Sequence, residues 1–530
     1  MSETALNLGG SARAASNAAA RIGRAPGSAG RGEDEVGQAA FLRPLPGWIW
    51  FAAILAAGWG LLTANGVLTS YAVLLLPVLA ALLWFPGEPP ALLFACFMQW
   101  VQASMAVFYT NVYGVPLSYQ TEYGGADLVT ATWLSLTGVL VLALGMRLAL
   151  WRQPVRVPEE TLRDSLRVEP GRVFLWYLVA FACFGLVGWV GNRIPGLAQP
   201  LRALATLKWV LVFLLAHGVL TQRRGYSLLA IVAFLEFATG ILGFFSDFKN
   251  IFFLLLVALP ASPFLFYGWR KVNFGLVTAL VLAVGVVWTA IKQDYREFLN
   301  QGTGAQAALV PVPDRAAKLV QLVGSLDGEK VRDGLEQLVL RVSYVSFFAW
   351  TLGNVPDAIP FERGKLWRES IEHVLMPRLF FPNKAAIHDS DRVNYYSGVQ
   401  VATPEQGASI SLGYMTESYI DFGPVGMFVP ILLLGVFYGF IYRFFAWRYR
   451  LRLLGVAMGT AILIFGAYTI ETSNIKLIGG NLMSLLVMGA FAKLAGSWFW
   501  GRLVRTESST PVATPSPNTR GARRGRTGLP

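Results

Sequence analysis

The chain has 530 residues, 55% of them hydrophobic and only 14% charged, where an ordinary soluble domain carries about 25% charged residues. A chain this apolar hides most of its surface in lipid, which excludes a soluble globular protein. Two cysteines, Cys96 and Cys183, each lie inside an apolar run, and three histidines, His217, His373 and His388, are scattered; this is neither a disulfide framework nor a metal cluster, and no metal site is expected.

Residues 1–46, rich in Ala, Gly, Ser and Arg, lack the apolar core of a signal peptide and are expected to be a disordered cytoplasmic tail. Nine apolar runs fill residues 47–291, near 47–64, 67–85, 91–108, 128–150, 173–190, 203–220, 226–245, 250–267 and 272–291. Each is long enough to cross a hydrocarbon core of ~30 Å. A large loop follows over 292–424, then three more runs near 425–445, 453–472 and 480–500, and a second disordered cytoplasmic tail over 501–530. The expected fold is all-α: a polytopic membrane protein of about 12 transmembrane helices.

Charge orients it. With both termini inside, the inner segments hold Arg147, Arg152, Arg156, Arg163, Arg167, Arg172, Arg223, Arg224, Arg270, Lys271, Arg443, Arg448, Arg450 and Arg452, and the tails add eleven arginines. The short outer loops hold only Arg193, Arg202, Lys249 and Lys476. This asymmetry is the positive-inside pattern, so a multi-pass inner-membrane protein with a periplasmic 292–424 loop is expected. The net charge of +13 then reflects retention on anionic lipid rather than binding to nucleic acid.

The loop is too long to be structureless in a compact protein. Val331, Leu335, Leu338, Val342, Val345, Ala349 and Leu352 form one apolar stripe at helical spacing, and Leu366, Trp367, Glu369, Ile371 and Val374 suggest a shorter helix ended by Pro377. Residues 363–392 carry six basic and four acidic side chains, a candidate anion site, because arginine forks match phosphate oxygens; solvated ion pairs or lipid-headgroup contacts would explain the same pattern. Glu417 and Asp421 are four residues apart and share a face if helical. A partly desolvated carboxyl suits acid–base work, although acids also favour the first turn of a helix. Asp247, Lys249 and Asn250, then Lys292, Tyr295 and Arg296, then Glu471, Asn474 and Lys476 all fall at the outer level. Lys208 lies inside a span, where it either snorkels or pairs with Glu236.

In order, Ser246-Asp247-Phe248-Lys249, Lys292 through Arg296, Arg341, Met376 through Lys384 and Gly413 through Gly423 resemble the Wzy-type oligosaccharide repeat-unit polymerases, relatives of the O-antigen ligases. The resemblance covers the span pattern and most of 246–445. It implies a GT-C-like fold and transfer of a growing glycan from undecaprenyl pyrophosphate to the next lipid-linked repeat unit at the periplasmic face, without nucleotide sugar, metal or other cofactor. The lipid-linked oligosaccharide and membrane lipid would be its ligands, and a chain-length regulator and a flippase its pathway partners.

On that reading Arg378, Lys384 and Arg392, then Arg296, Arg341 and Lys249, hold the pyrophosphate. Glu417, then Asp421 and His388, serve the acceptor hydroxyl, and Lys292, Tyr395, Tyr414 and Tyr419 contact the substrate. The arginine–glycine spacings of polymerase loops are approached only by Arg392 and Gly407, and His373 and His388 keep a ligase alternative open. A non-enzymatic transporter is the third reading, against which no internal repeat is visible.

Overall fold

The computed structural model describes residues 41–151, 159–244, 247–262, 270–303, 308–377, 380, 381, 383, 384, 388–401 and 409–505. Most of both predicted tails, Arg152, Arg156, Arg378 and the Gly407-Ala408 pair lie outside the described residues. Among the described residues the chain is helical, and its only extended pairing is an isolated bridge between Val168 and Val504.

The first hairpins are α1 (Gly47–Gly60), α2 (Gly66–Leu83), α3 (Ala91–Val112) and α4 (Ala126–Leu150). A short polar helix, α5 (Glu159–Arg167), leads into α6 (Pro170–Arg193), α7 (Ala198–Ala205), α8 (Leu207–Gln222), α9 (Tyr226–Leu242), α10 (Lys249–Ala261) and the long α11 (Arg270–Asn300). The loop folds as α12 (Val312–Gly324), α13 (Gly328–Val342), α14 (Val345–Leu352), α15 (Lys365–Leu375) and α16 (Asp389–Ser397). The chain closes with α17 (Tyr414–Gly426), α18 (Phe428–Tyr442), α19 (Arg452–Gly466), α20 (Asn474–Leu494) and α21 (Gly496–Leu503).

A helix stands at each of the twelve apolar runs. Among the described residues six stretches are long and apolar enough to cross a membrane: Gly66–Leu83, Ala91–Val112, Ala126–Leu150, Ala198–Gln222, Phe428–Arg448 and Asn474–Leu494. Gly47–Gly60, Pro170–Cys183, Tyr226–Leu242, Lys249–Ala261 and Arg452–Gly466 are apolar but shorter. The protein is a helical membrane protein.

Without a hydrophobic drive between helices in lipid, close backbone packing holds them together. α4 and α18 meet through glycines: a Cβ on Gly145 would sit 3.0 Å from the Gly435 Cα and collide with the Leu432 carbonyl. One turn on, a Cβ on Gly439 would lie 2.7 Å from the Ala149 Cβ. Lys208 does pair with Glu236, at 2.9 Å, and Tyr177 donates to the other carboxylate oxygen at 2.8 Å, so neither buried charge is left alone.

One end of the bundle gathers the basic segments. Arg147 Nε donates to Phe41 O at 2.7 Å, Arg443 to Ala149 O at 3.2 Å and Arg172 to Val504 O at 2.7 Å, and Arg452 pairs with Glu160 at 3.0 Å. The same contacts order the inner edges of the predicted tails: Arg43 N donates to Ala81 O, and Glu169 N to Leu503 O.

The long loop covers the other end. The last turns of α11 outrun the apolar stretch and, with Phe248 and with Leu319 and Leu322 of α12, form a small second core around Trp288, Ile291, Tyr295 and Leu299. The predicted apolar stripe of 331–352 is carried by two helices. It breaks at Ser343 and Tyr344, where the Tyr344 hydroxyl leaves the helix line to donate to Ser411 O. α17 is likewise two pieces: Pro424 disfavours helix at the residue before it, and Gly423 turns at φ 71°.

Candidate functional site

Gly413, at φ 90°, lets the chain run against the α19–α20 turn, where a side chain would collide with Ile470 O. The next residues start α17, and its first turn aims Glu417 at the beginning of α20. The Asn474 N–H donates to Glu417 Oε2 at 2.8 Å, while Arg392 Nη1 from α16 stands 3.4 Å from Oε1. Arg392 also pairs with Glu369 of α15 at 2.9 Å. Glu417 is 1% exposed. Burial pushes its carboxyl up to about 7, with Arg392 and the Asn474 N–H opposing the rise and Asp389 adding to it. Such a group is half ionised at neutral pH, which suits a general base.

Around it lie Asp389, bonded by Ser473 Oγ at 3.0 Å and Lys476 Nζ at 2.7 Å, and the buried Asn474, whose two side-chain amide atoms have no partner among the described residues. The sequence places Glu369, Asp389, Asn474 and Lys476 near the outer level but assigns them no role. The signal for Asn474 and Lys476 was the short polar turn between two apolar runs; Glu369 and Asp389 stood among several equivalent acids.

The second group is cationic. Lys292, one residue past the apolar part of α11, is pushed down to about 7 by burial, then by repulsion from Arg341, Arg296 and Lys249, against a weaker attraction to Glu471. Arg296 is lowered by burial and by Arg341; its Nε donates to Phe244 O at 3.2 Å. Among the described residues none of these four cations has a carboxylate oxygen within 4 Å. Four repelling cations facing one nearby acid make a site that gains by binding a polyanion. The two groups adjoin: Tyr344 feels Glu471, Asp389 and Arg341, and Ser411 Oγ donates to Glu471 O at 2.7 Å.

The other predicted residues separate from these groups. Asp421 accepts the Leu366 and Trp367 N–H groups at 3.0 and 2.9 Å, so both its oxygens are committed to the start of α15. Lys384 donates to the carbonyls of His373 and Met376, at the end of that helix. Tyr414 is buried and donates to Gln99 Oε1 at 2.7 Å; Tyr419 donates to Val355 O at 3.0 Å. Both serve packing. Tyr395 is exposed, edge-on to Tyr396 at 4.8 Å, and His388 is exposed at the start of α16. Arg378 lies outside the described residues.

Fold and site together define an all-helical membrane protein with a charged centre under a folded loop. Residues 161–474 match a family described as a domain of unknown function, DUF8712, and the chain belongs to that family. No curated protein and no solved structure matches it.

Proposed function

We propose that the protein is a glycan polymerase that joins undecaprenyl-pyrophosphate-linked oligosaccharide repeat units at the periplasmic face of the bacterial inner membrane. The observation that carries the reading is the cluster of Lys249, Lys292, Arg296 and Arg341, joined through Tyr344, Glu471 and Asp389 to the surroundings of the buried Glu417 at the loop end of the bundle. A lipid pyrophosphate brings several negative charges to the level where the apolar helices end, and that is the charge this cluster lacks. In this reading all twelve apolar helices cross the membrane in a GT-C-like bundle, with both termini cytoplasmic.

The reaction divides between the two groups. Glu417 accepts the proton of an acceptor sugar hydroxyl as that oxygen bonds to the anomeric carbon of the donor glycan. The bond from that carbon to the pyrophosphate breaks, and the departing oxygens are neutralised by the four cations, preorganised where water is scarce. Arg392 holds Glu417 ionised and oriented.

Glu417→Gln tests this in cells. The expected result is a stable membrane protein with single lipid-linked repeat units accumulating and no polymer. Long lipid-linked chains left untransferred would mark a ligase instead, and unchanged polymer would refute the assignment. A reporter fused in the loop between α12 and α13 is expected to read as periplasmic; a cytosolic reading would overturn the orientation.

A further inference from the structure

We propose that the last turns of α15 and the turn that follows them lie in the lipid leaflet on the loop side of the membrane, anchoring the long loop along the flank of α20. The occupant of this face is lipid, whatever reaction the charged centre performs.

Ile371, Leu375, Met376, Phe380 and Phe381 are five large apolar side chains within eleven residues, and all are exposed, Leu375 at 67% and Phe380 at 73%. An apolar patch of this kind marks a contact with a partner or a membrane. Round α15, at about 100° per residue, the side chains fall into three sectors. Leu366 and Ser370 are buried in the bundle, with Val374 next to them. Ile371 and Leu375, one turn apart, follow. Arg368 and Glu372, an exposed pair at 3.9 Å, come after those. A bundle-facing, an apolar and a charged sector in that order fit a helix lying in a membrane interface.

Its position selects lipid over a soluble partner. Val374 Cγ2 stands 3.2 Å from where a Cβ on Gly479, the sixth residue of α20, would be. α20 is the least buried of the six spans, so much of its surface meets lipid. Its apolar run begins near residue 480. The contact therefore fixes the end of α15 at the level where hydrocarbon starts, on a flank already in the bilayer.

The backbone suits a place with little water. A helix end leaves its last carbonyls unpaired, and lipid offers them no donor. Here the Lys384 ammonium group donates to the His373 and Met376 carbonyls. The Phe380 and Phe381 N–H groups both donate to Pro377 O, at 2.9 and 3.0 Å, and the Lys384 N–H donates to Phe381 O at 3.2 Å. At its other end α15 gives two N–H groups to Asp421, and from its second turn Glu369 pairs with Arg392. One helix thus ties the leaflet to the charged centre and sets the height of that centre above the lipid.

The test uses the full chain in vesicles of phosphatidylethanolamine and phosphatidylglycerol. Single nitroxide labels are placed through Leu375→Cys, Phe380→Cys and Arg368→Cys in a Cys183→Ser background, since Cys96 is buried. Collision with oxygen, which concentrates in lipid, is compared with collision with a water-soluble nickel chelate. Leu486→Cys, on the exposed face of α20, and Glu329→Cys, at the start of α13, calibrate lipid and water. The oxygen-to-nickel ratio is expected to be several-fold higher for the Leu375 and Phe380 labels than for the Glu329 label, and close to the Glu329 value for the Arg368 label. Water-like ratios at both Leu375 and Phe380 overturn the proposal. So does dipolar broadening that disappears on dilution with unlabelled chain, which would make a second copy the occupant. The unsubstituted chain gives an independent reading: a phospholipid with a diazirine high on its acyl chain is expected, on illumination, to leave adducts on Leu375, Met376, Phe380 or Phe381. Their absence, with adducts present on α20, overturns the anchor as well.

Discussion

Arg392→Ala should make catalysis depend on pH in a way that reports Glu417 directly. In the native protein the carboxyl sits near 7, so the rate is expected to rise with pH along an acid limb centred there. Arg392 stands 3.4 Å from Oε1. With an effective dielectric of ~20, that separation corresponds to an attraction of at most about 5 kcal/mol. Arg392 divides its charge with Glu369 and is 11% exposed, which brings the useful part to about 2 kcal/mol. At 1.36 kcal/mol per pH unit, the limb moves upward by about 1.5 pH. At pH 7 the ionised fraction drops from about half to a few per cent, a loss of about 15-fold. Chain extension in proteoliposomes, followed by gel separation of lipid-linked products from pH 5.5 to 9, measures it. The variant should recover most of its rate at high pH. A loss of equal size at pH 6 and pH 9, or a wild-type rate flat through 7, would refute Glu417 as the base.

The same proton has a stability consequence: Glu417 holds it more tightly folded than unfolded, so its contribution is fully present below about 4.5 and is lost as pH rises through about 7, by about 3 kcal/mol in all. Glu417→Gln should therefore flatten that part of the melting profile, read by circular dichroism across pH. Lys292 is a cation only below about 7, so affinity for polyprenyl pyrophosphate should fall as pH rises through that value, and Lys292→Arg should remove the fall; flotation assays at pH 6 and 8.5 decide it. Gly435→Val forces a side chain into the Leu142 carbonyl of α4 and should cost about 1–3 kcal/mol, whereas Gly58→Ala, with nothing within 4 Å, should leave the thermal midpoint unchanged. Asp421→Asn should lower that midpoint by weakening the start of α15, at about 1 kcal/mol, while leaving the acid limb of the rate where it was.

The helices were legible because lipid demands long apolar runs whose backbone bonds close internally. Every run read from the sequence holds a helix, with ends moved by up to nine residues, as where the run 272–291 lies in a helix that continues to Asn300. Lys208 found Glu236 because two opposite charges in apolar surroundings have little else to meet. The division of the loop was harder to read. A periodic stripe does not reveal that Tyr344 leaves the helix for a carbonyl 67 residues away, nor that 342–345 is a hinge between two helices. The candidate site was legible as a set of residue types at one level but not as contacts. Glu417 and Asp421 look alike at one turn's spacing. Which of them faces the start of α20 and which the start of α15 depends on where those helices pack, and that is a tertiary fact. Lys384 was read as a phosphate ligand from its charge, and its ammonium group donates to the His373 and Met376 carbonyls at a helix end. Sequence gives the charge; only packing says which groups surround it.

The two acids of α17 illustrate how fold and chemistry share one element. Each carboxylate meets backbone N–H groups where another helix begins, so both hold the loop against the bundle. Asp421 meets two such donors and, among the described residues, no cation in hydrogen-bond contact. Glu417 meets one, and its other oxygen is left to Arg392 at the long separation of 3.4 Å. A carboxylate with one oxygen firmly held and the other loosely paired keeps its orientation while retaining a place for a proton.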